Sequence, residues 1–175
     1  ITILSKISKS FIDELNWTKA IISSVYFARD LINTPSNDMT PSDLAKAAVS
    51  LRQKNISVKI LERKDSERLG MGAYLSVAKG SKEPLKFIVL EYKGSKGKPL
   101  ALIGKSITFD SGGISLKPSD GMEKMKYDMA GGGAVLGVLK AASALKLPVN
   151  LIGILPATEN LPGGSATKPG DIAKA

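Results

Sequence analysis

The sequence contains no cysteine and no histidine. Their absence excludes disulfides, cysteine nucleophiles, the usual zinc-finger ligands and every histidine-based triad. Any metal has to be held by carboxylates, carbonyls or amines. No stretch approaches the roughly 18 consecutive apolar residues of a membrane-spanning helix, and the N-terminal residues show no basic segment followed by an apolar run. Neither a membrane nor secretion is therefore expected. A cysteine-free chain is compatible with a reducing compartment, and a cytoplasmic location is the expectation.

What is present describes a folded, soluble domain. The composition is 43% hydrophobic, with 17 glycines and 9 prolines, too apolar for a disordered chain. At 175 residues the length suits one domain, which can bury roughly 70% of the surface its unfolded chain exposes. The net charge of +9 is uneven: residues 46–98 hold 13 Lys/Arg against 5 Asp/Glu. Such a segment can be an electrostatic footprint for nucleic acid. It has no interleaved aromatics, however, and its charges fall on elements of different type, so a solvated face is the simpler reading.

Helical spacing of Phe11, Leu15, Ile21, Val25, Ala28 and Leu31 predicts a long amphipathic helix over 10–33, stopped by Asn33-Thr34-Pro35. Thr40-Pro41-Ser42-Asp43 supplies a cap, a first-turn proline and an acidic third position for a second helix running to about Asn55. Ile56 to Glu62 alternates as a strand, and Asp65 can cap a short helix ending near Gly70. Leu85–Tyr92 and Leu100–Ile103 read as strands that could pair as a hairpin across a Gly/Pro-rich turn. A buried helix is expected from about Tyr127 to Leu145, opening on Gly131 to Gly133. The apolar run Val149–Leu155 suits a central strand covered on both faces, and Pro156–Gly170 reads as a long functional loop. Alternating helices and strands imply an α/β fold, a three-layer sandwich with a mixed sheet flanked by helices.

The segment Gly104-Lys105-Ser106-Ile107-Thr108-Phe109-Asp110-Ser111-Gly112-Gly113 directly follows an apolar strand, where sheet enzymes place ligand groups. Lys105 and Asp110 would converge only through an irregular turn, for which Ser111-Gly112-Gly113 supplies permissive backbone. Asp128 lies where the next helix should begin, beside glycines that permit close approach to other backbone. Taken alone, Asp128 reads more readily as a helix cap and Asp110 as a turn aspartate. Gly104-Lys105-Ser106 ends like a phosphate-binding loop, but Pro99 stands where that motif requires glycine. Gly131, Gly132, Gly133 and Gly137 likewise fail the dinucleotide fingerprint, since they precede helix interior.

Gly104 to Pro118 (GKSITFDSGGISLKP) and Met125 to Met129 (MKYDM) closely resemble the catalytic domain of the leucyl, or cytosol, aminopeptidase family. The similarity extends to Arg29–Pro41 and Pro156–Asp171. The resemblance implies a metalloprotease that uses two divalent ions (Zn, Mn or Mg) to activate water against the first peptide bond of a substrate with a free N-terminus. It implies Lys105 and Asp128 as ligands of the tighter ion and Asp110 as the bridging carboxylate. Lys117 is implied as the lysine that polarises the substrate carbonyl, and Met125 as a wall of the pocket for the first side chain, with leucine-type preference.

Ser106 and Ala130 depart from the family, which commonly has glycine there. The family's second acidic motif, Asn-Thr-Asp-Ala-Glu-Gly-Arg, is absent from the sequence, and with it two carboxylate ligands and an arginine. Residues 1–10 are accordingly expected to end a linker from an N-terminal domain, and 11–175 to form the N-terminal part of the catalytic domain. A chain so truncated is expected to turn over little substrate alone and to expose apolar surface. The family resemblance also implies a homo-oligomer, a hexamer. The alternative reading is a nucleic-acid-binding module acting through 46–98, although nucleic acid is not the expected partner.

Overall fold

The computed structural model describes residues 8–174. Most of the expected linker, residues 1–7, lies outside the described residues. Helix α1 runs over Lys9–Asn33, with Ser8 accepting a hydrogen bond from the Phe11 amide as its cap, and α2 over Pro41–Ser50. In α2 the Thr40 hydroxyl and the Asp43 carboxylate cap each other's backbone amides reciprocally, as the sequence pattern requires. This helix is shorter than expected. It closes at Leu51, after which Gln53 and Ile56 form a bridge that turns the chain into the sheet.

Strand β1 is Ile56–Leu61, followed by α3 (Arg63–Arg68), α4 (Gly72–Ala78), β2 (Lys86–Lys93), β3 (Leu100–Ile103) and β4 (Ser106–Asp110). A 3-10 helix over Met122–Tyr127 precedes α5 (Ala130–Ala144), and β5 is Asn150–Asn160. Asp65 stands at the third position of α3 rather than at its cap, which is Glu62; its carboxylate accepts from the Glu62 amide at 3.1 Å. Helix α4 lacks a capping side chain and an amphipathic repeat of any length, so the Gly70-Met71-Gly72 break concealed it.

The sheet is mixed, in the order β1-β2-β5-β3, with β4 also paired to β5. The expected hairpin between β2 and β3 does not form. Strand β5 lies between them, antiparallel to β2 and parallel to β3 and β4. Its apolar run on both faces belongs in the sheet centre, and that displaces the sequence neighbours β2 and β3 from one another. Strand β5 also continues through Pro156 to Asn160, five residues taken from the expected loop. Pro156 is tolerated because it sits opposite the interruption between β3, whose ladder ends at Ile154, and β4, whose ladder begins at Ala157.

One sheet face carries Ile56, Ile88, Leu90, Tyr92, Leu151 and Leu155, which pack against Leu44 and Ala48 of α2 and Leu136 and Leu139 of α5. Helix α1 packs outside α5. On the opposite face, Tyr74 of α4 meets Phe87 edge-on, with ring centroids 5.6 Å apart. The architecture is the expected α/β arrangement of a mixed sheet with helices, and the ends of β4 and β5 open together on one rim.

Candidate active site

The two strands that end on this rim, together with the start of α5, position the polar side chains. Between β3 and β4 the chain steps over Gly104 and Lys105. The Gly104 amide donates to Ile154 O at 3.0 Å, while Lys105 O accepts from the Gly132 amide at 2.8 Å. The first turn of α5 is therefore bound to the main chain beside Lys105. That approach requires Gly132, because a Cβ there would stand 2.2 Å from Ser106 Oγ.

Asp110 is the last residue of β4. Beyond it Gly112 (φ 92°) and Gly113 (φ 70°) adopt left-handed backbone, and the Lys117 amide donates to Ser111 O at 2.9 Å. The loop thereby folds back, so that Lys117 Nζ donates to Asp110 Oδ2 at 2.7 Å and to Met125 Sδ at 3.1 Å. Burial opposes ionisation of Asp110, but the Lys117 ammonium, the Gly112 amide and the Asn160 side chain outweigh it and hold its carboxyl below the ordinary carboxylate range.

Asp128 does not cap α5; the cap position is Met129. Asp128 instead closes the 3-10 helix, with its amide directed to Met125 O, and its side chain is free to face Lys105 at 2.7 Å. Its Oδ2 is buried and accepts no hydrogen bond despite that close ammonium. The four polar residues expected at the site thus meet as two ion pairs, Lys105–Asp128 and Lys117–Asp110, with Met125 touching the second.

The end of α1 and the segment that follows it are tied to β4 and the 3-10 helix. Ser36 Oγ donates to Thr108 O at 2.9 Å, and Lys126 Nζ to Asn33 O at 2.8 Å. A cavity of about 250 Å³ is lined among others by Gly112, Gly113, Asn160, Thr167 and Lys168; it adjoins the turn after Asp110, and none of Lys105, Asp110, Lys117, Met125 and Asp128 lines it. Ala166 and Pro169 also line the cavity, and between them Thr167 donates to Ser76 O at 2.7 Å.

Asn160 was not legible as a site residue. Its side-chain amide donates to Asp110 Oδ1 at 2.7 Å. The available signal was its place at the carboxyl end of a central strand, where sheet enzymes bind ligands; assigning Pro156–Asn160 to a loop hid it.

The donor set suits a cation. Asp128 Oδ2 is buried and its charge is balanced only by the Lys105 ammonium at 2.7 Å, in a contact that is an ion pair rather than an aligned hydrogen bond. Among the described residues no three acidic or histidine side chains converge on one point, so any metal held here relies on amine nitrogen as well as carboxylate. The basic residues of 46–98 are spread over α2, β1, α3, β2 and the connections between elements. Lys46, Arg68 and Lys86 each lie within 3.1 Å of an acidic partner.

Comparison with known proteins identifies the family. The sequence profile of the cytosol aminopeptidase family, catalytic domain, matches residues 26–175. A probable cytosol aminopeptidase of Aromatoleum aromaticum is 55% identical over 157 residues, covering 88% of this chain and 31% of that protein. A probable cytosol aminopeptidase of Nitrosomonas europaea is 55% identical over 156 residues (87% and 31%), and one of Geobacter sulfurreducens 54% over 157 (88% and 32%). The chain thus spans about a third of the length of the curated relatives it matches. Across 26–175, including every residue of the two ion pairs, the chain belongs to the cytosol aminopeptidase family.

Proposed function

We propose that this chain contributes part of a two-metal aminopeptidase centre, in which Lys105, Asp110 and Asp128 are metal ligands and Lys117 and Met125 face the substrate. The observation that carries the proposal is that each aspartate already holds a cation at 2.7 Å, Asp128 the Lys105 ammonium and Asp110 the Lys117 ammonium, with Met125 contacting Lys117 by its sulfur and the Asp128 amide by its carbonyl. Two divalent ions bound there would supply the Lewis acidity that brings a water's pKa into the neutral range.

The residues present divide the remaining work. Lys105 has to be neutral to donate a lone pair, and a dication at bonding distance would favour the neutral amine by displacing its proton. Lys117 has to stay charged, because its task is to stabilise the oxyanion that develops on the scissile carbonyl. Lys117 Nζ now occupies Asp110 Oδ2 at 2.7 Å, and a metal held by that carboxylate would release the ammonium for the substrate. The thioether of Met125, already against Lys117, provides an apolar wall for a leucine-type side chain.

In this reading residues 1–10 end a linker and 11–175 form the N-terminal part of the catalytic domain. A substrate peptide with a free N-terminus, a hexameric assembly and a cytoplasmic site of action accompany it. No described helix is long and apolar enough to cross a membrane. Two aspartates are too few acidic ligands for two ions, so the 175-residue chain alone is expected to bind metal weakly and to turn over little.

The test is hydrolysis of leucine anilide by the complete gene product, with Mn²⁺ or Zn²⁺ and after chelation, beside the 175-residue chain. Metal-dependent release by the former and negligible release by the latter are expected. Chelator-insensitive activity would sink the two-metal reading. Robust activity of the 175-residue chain would sink the claim that further ligands are needed.

A further inference from the structure

We infer that Asn160 is a positioning residue for the metal centre, acting through Asp110 by fixing which carboxylate oxygen is left to bind a cation. The inference rests on the aminopeptidase reading above and adds to it a residue on a different strand.

Asn160 is the last residue of β5 and stands in register with Asp110, the last residue of the neighbouring β4. A carboxylate can only accept, so the amide has to present Nδ2, which lies 2.7 Å from Asp110 Oδ1. The same oxygen accepts from the Gly112 amide at 2.9 Å. Two donors occupy the two lone-pair directions of Oδ1 and fix the plane of the carboxylate. Oδ2 receives only the Lys117 ammonium, at 2.7 Å, a cation held where a metal would sit. The cation-binding capacity of Asp110 is thereby concentrated on one oxygen.

The main chain of Asn160 shows that its side chain is separable from the fold. Its carbonyl accepts from both the Ser111 amide, at 3.0 Å, and Ser111 Oγ, at 2.8 Å. These bonds hold the start of the Ser111–Gly113 turn whatever side chain stands at 160. The Asn160 Oδ1 atom lies 2.8 Å from where a Cβ on Gly113 would be, so the absence of a side chain at Gly113 leaves the amide its place. Outer residues that orient metal ligands typically change metal affinity by 10- to 100-fold when removed.

The test uses the complete gene product and Mn²⁺ alone as probe, with Asn160→Leu, which keeps approximate size without a donor, and Asn160→Ser, which is smaller and does not reach Asp110. Both variants are expected to bind Mn²⁺ about 10- to 100-fold more weakly in calorimetric titration. Their metal-free unfolding midpoints should stay close to that of the unsubstituted protein. With leucine anilide, turnover at limiting Mn²⁺ should fall and recover as Mn²⁺ is raised, while KM is unchanged. Unchanged Mn²⁺ affinity in either folded variant overturns the role of Asn160. So does a lowered midpoint with activity that excess Mn²⁺ does not restore, because that pattern belongs to a merely structural residue. Failure of the unsubstituted protein to bind Mn²⁺ overturns the metal-centre reading itself, and with it this one, before position 160 is altered.

Discussion

Lys105 Nζ and Asp128 Oδ2 stand 2.7 Å apart, yet that oxygen is buried and accepts no hydrogen bond. The Lys105 side chain is 59% exposed, so the pair has little value as a fold-stabilising ion pair, typically 0–1 kcal/mol for a solvated partner. A buried oxygen balanced by one solvated ammonium in poor hydrogen-bond geometry gains more from a divalent cation than it contributes to the fold.

Asp128→Asn should accordingly separate stability from metal binding. Denaturant unfolding of the metal-free protein is expected to change by no more than about 1 kcal/mol, in either direction, while Mn²⁺ affinity falls by well over tenfold. A large loss of metal-free stability with metal affinity intact would make Asp128 a structural residue.

Lys117 should separate turnover from binding. An oxyanion-stabilising donor acts mainly in the transition state, so Lys117→Gln in the complete gene product is expected to lower kcat for leucine anilide by about 100- to 1,000-fold with KM within a few-fold. A rise in KM at constant kcat would instead assign Lys117 to substrate binding. Because Lys117 competes for Asp110 Oδ2, the same variant should not lose metal, which calorimetric titration checks.

The sequence made the local parts legible and the pairings less so. The α2 capping box, the buried α5 and the close approach allowed by Gly132 all follow from nearest-neighbour chemistry, and each stands in the structure. The order of strands does not follow from local chemistry. Adjacent strands with a turn between them suggest a hairpin, and only the two-sided apolar pattern of β5 explains its insertion between β2 and β3. Pro156 argued for a loop because a central strand rarely accepts proline, and the ladder interruption that makes room for it is a tertiary feature. That single boundary concealed Asn160. Asp128 read alone as a cap, and only the 3-10 turn, invisible in the hydrophobic pattern, sets it one residue short of that position.

The capping box of α2 gives a pH dependence independent of the metal centre. The Asp43 carboxyl lies below its ordinary value of 3.8, first because Lys46 and Thr40 hydrogen-bond its ionised form. A carboxyl whose pKa is depressed on folding binds fewer protons in the native state than in the unfolded one near that pH. Its contribution is complete above 3.8 and is lost as pH falls through the lower, folded-state value. Thermal unfolding of Asp43→Asn and of the unsubstituted protein should therefore differ most near neutral pH and converge below pH 3.8. Thr40→Ala removes the reciprocal half of the box and should cost about 1 kcal/mol at neutral pH. A difference between Asp43→Asn and the unsubstituted protein that grows towards acid would reverse the assigned sign.

The free edge of β3 sets the behaviour of the 175-residue chain. Among the described residues β3 pairs only with β5, leaving its outer edge without a neighbouring strand. Leu100 is 62% exposed and Ile103 73% exposed on this short strand, and Trp17 and Tyr26 of α1 add further exposed apolar surface. Natural edges are guarded by charge, proline or a covering element, and the four residues of β3 include no charged side chain and no proline. The isolated chain is therefore expected to self-associate in light scattering at micromolar concentration, with association strengthened by salt as apolar contacts are. Ile103→Lys places a charge on the edge and should shift the distribution towards monomer, whereas the same substitution at the exposed Val77 of α4 should not. A monodisperse monomer from the unsubstituted chain would show that the edge is already protected; association unaltered by Ile103→Lys but reduced by Trp17→Lys would move the contact from the sheet edge to α1.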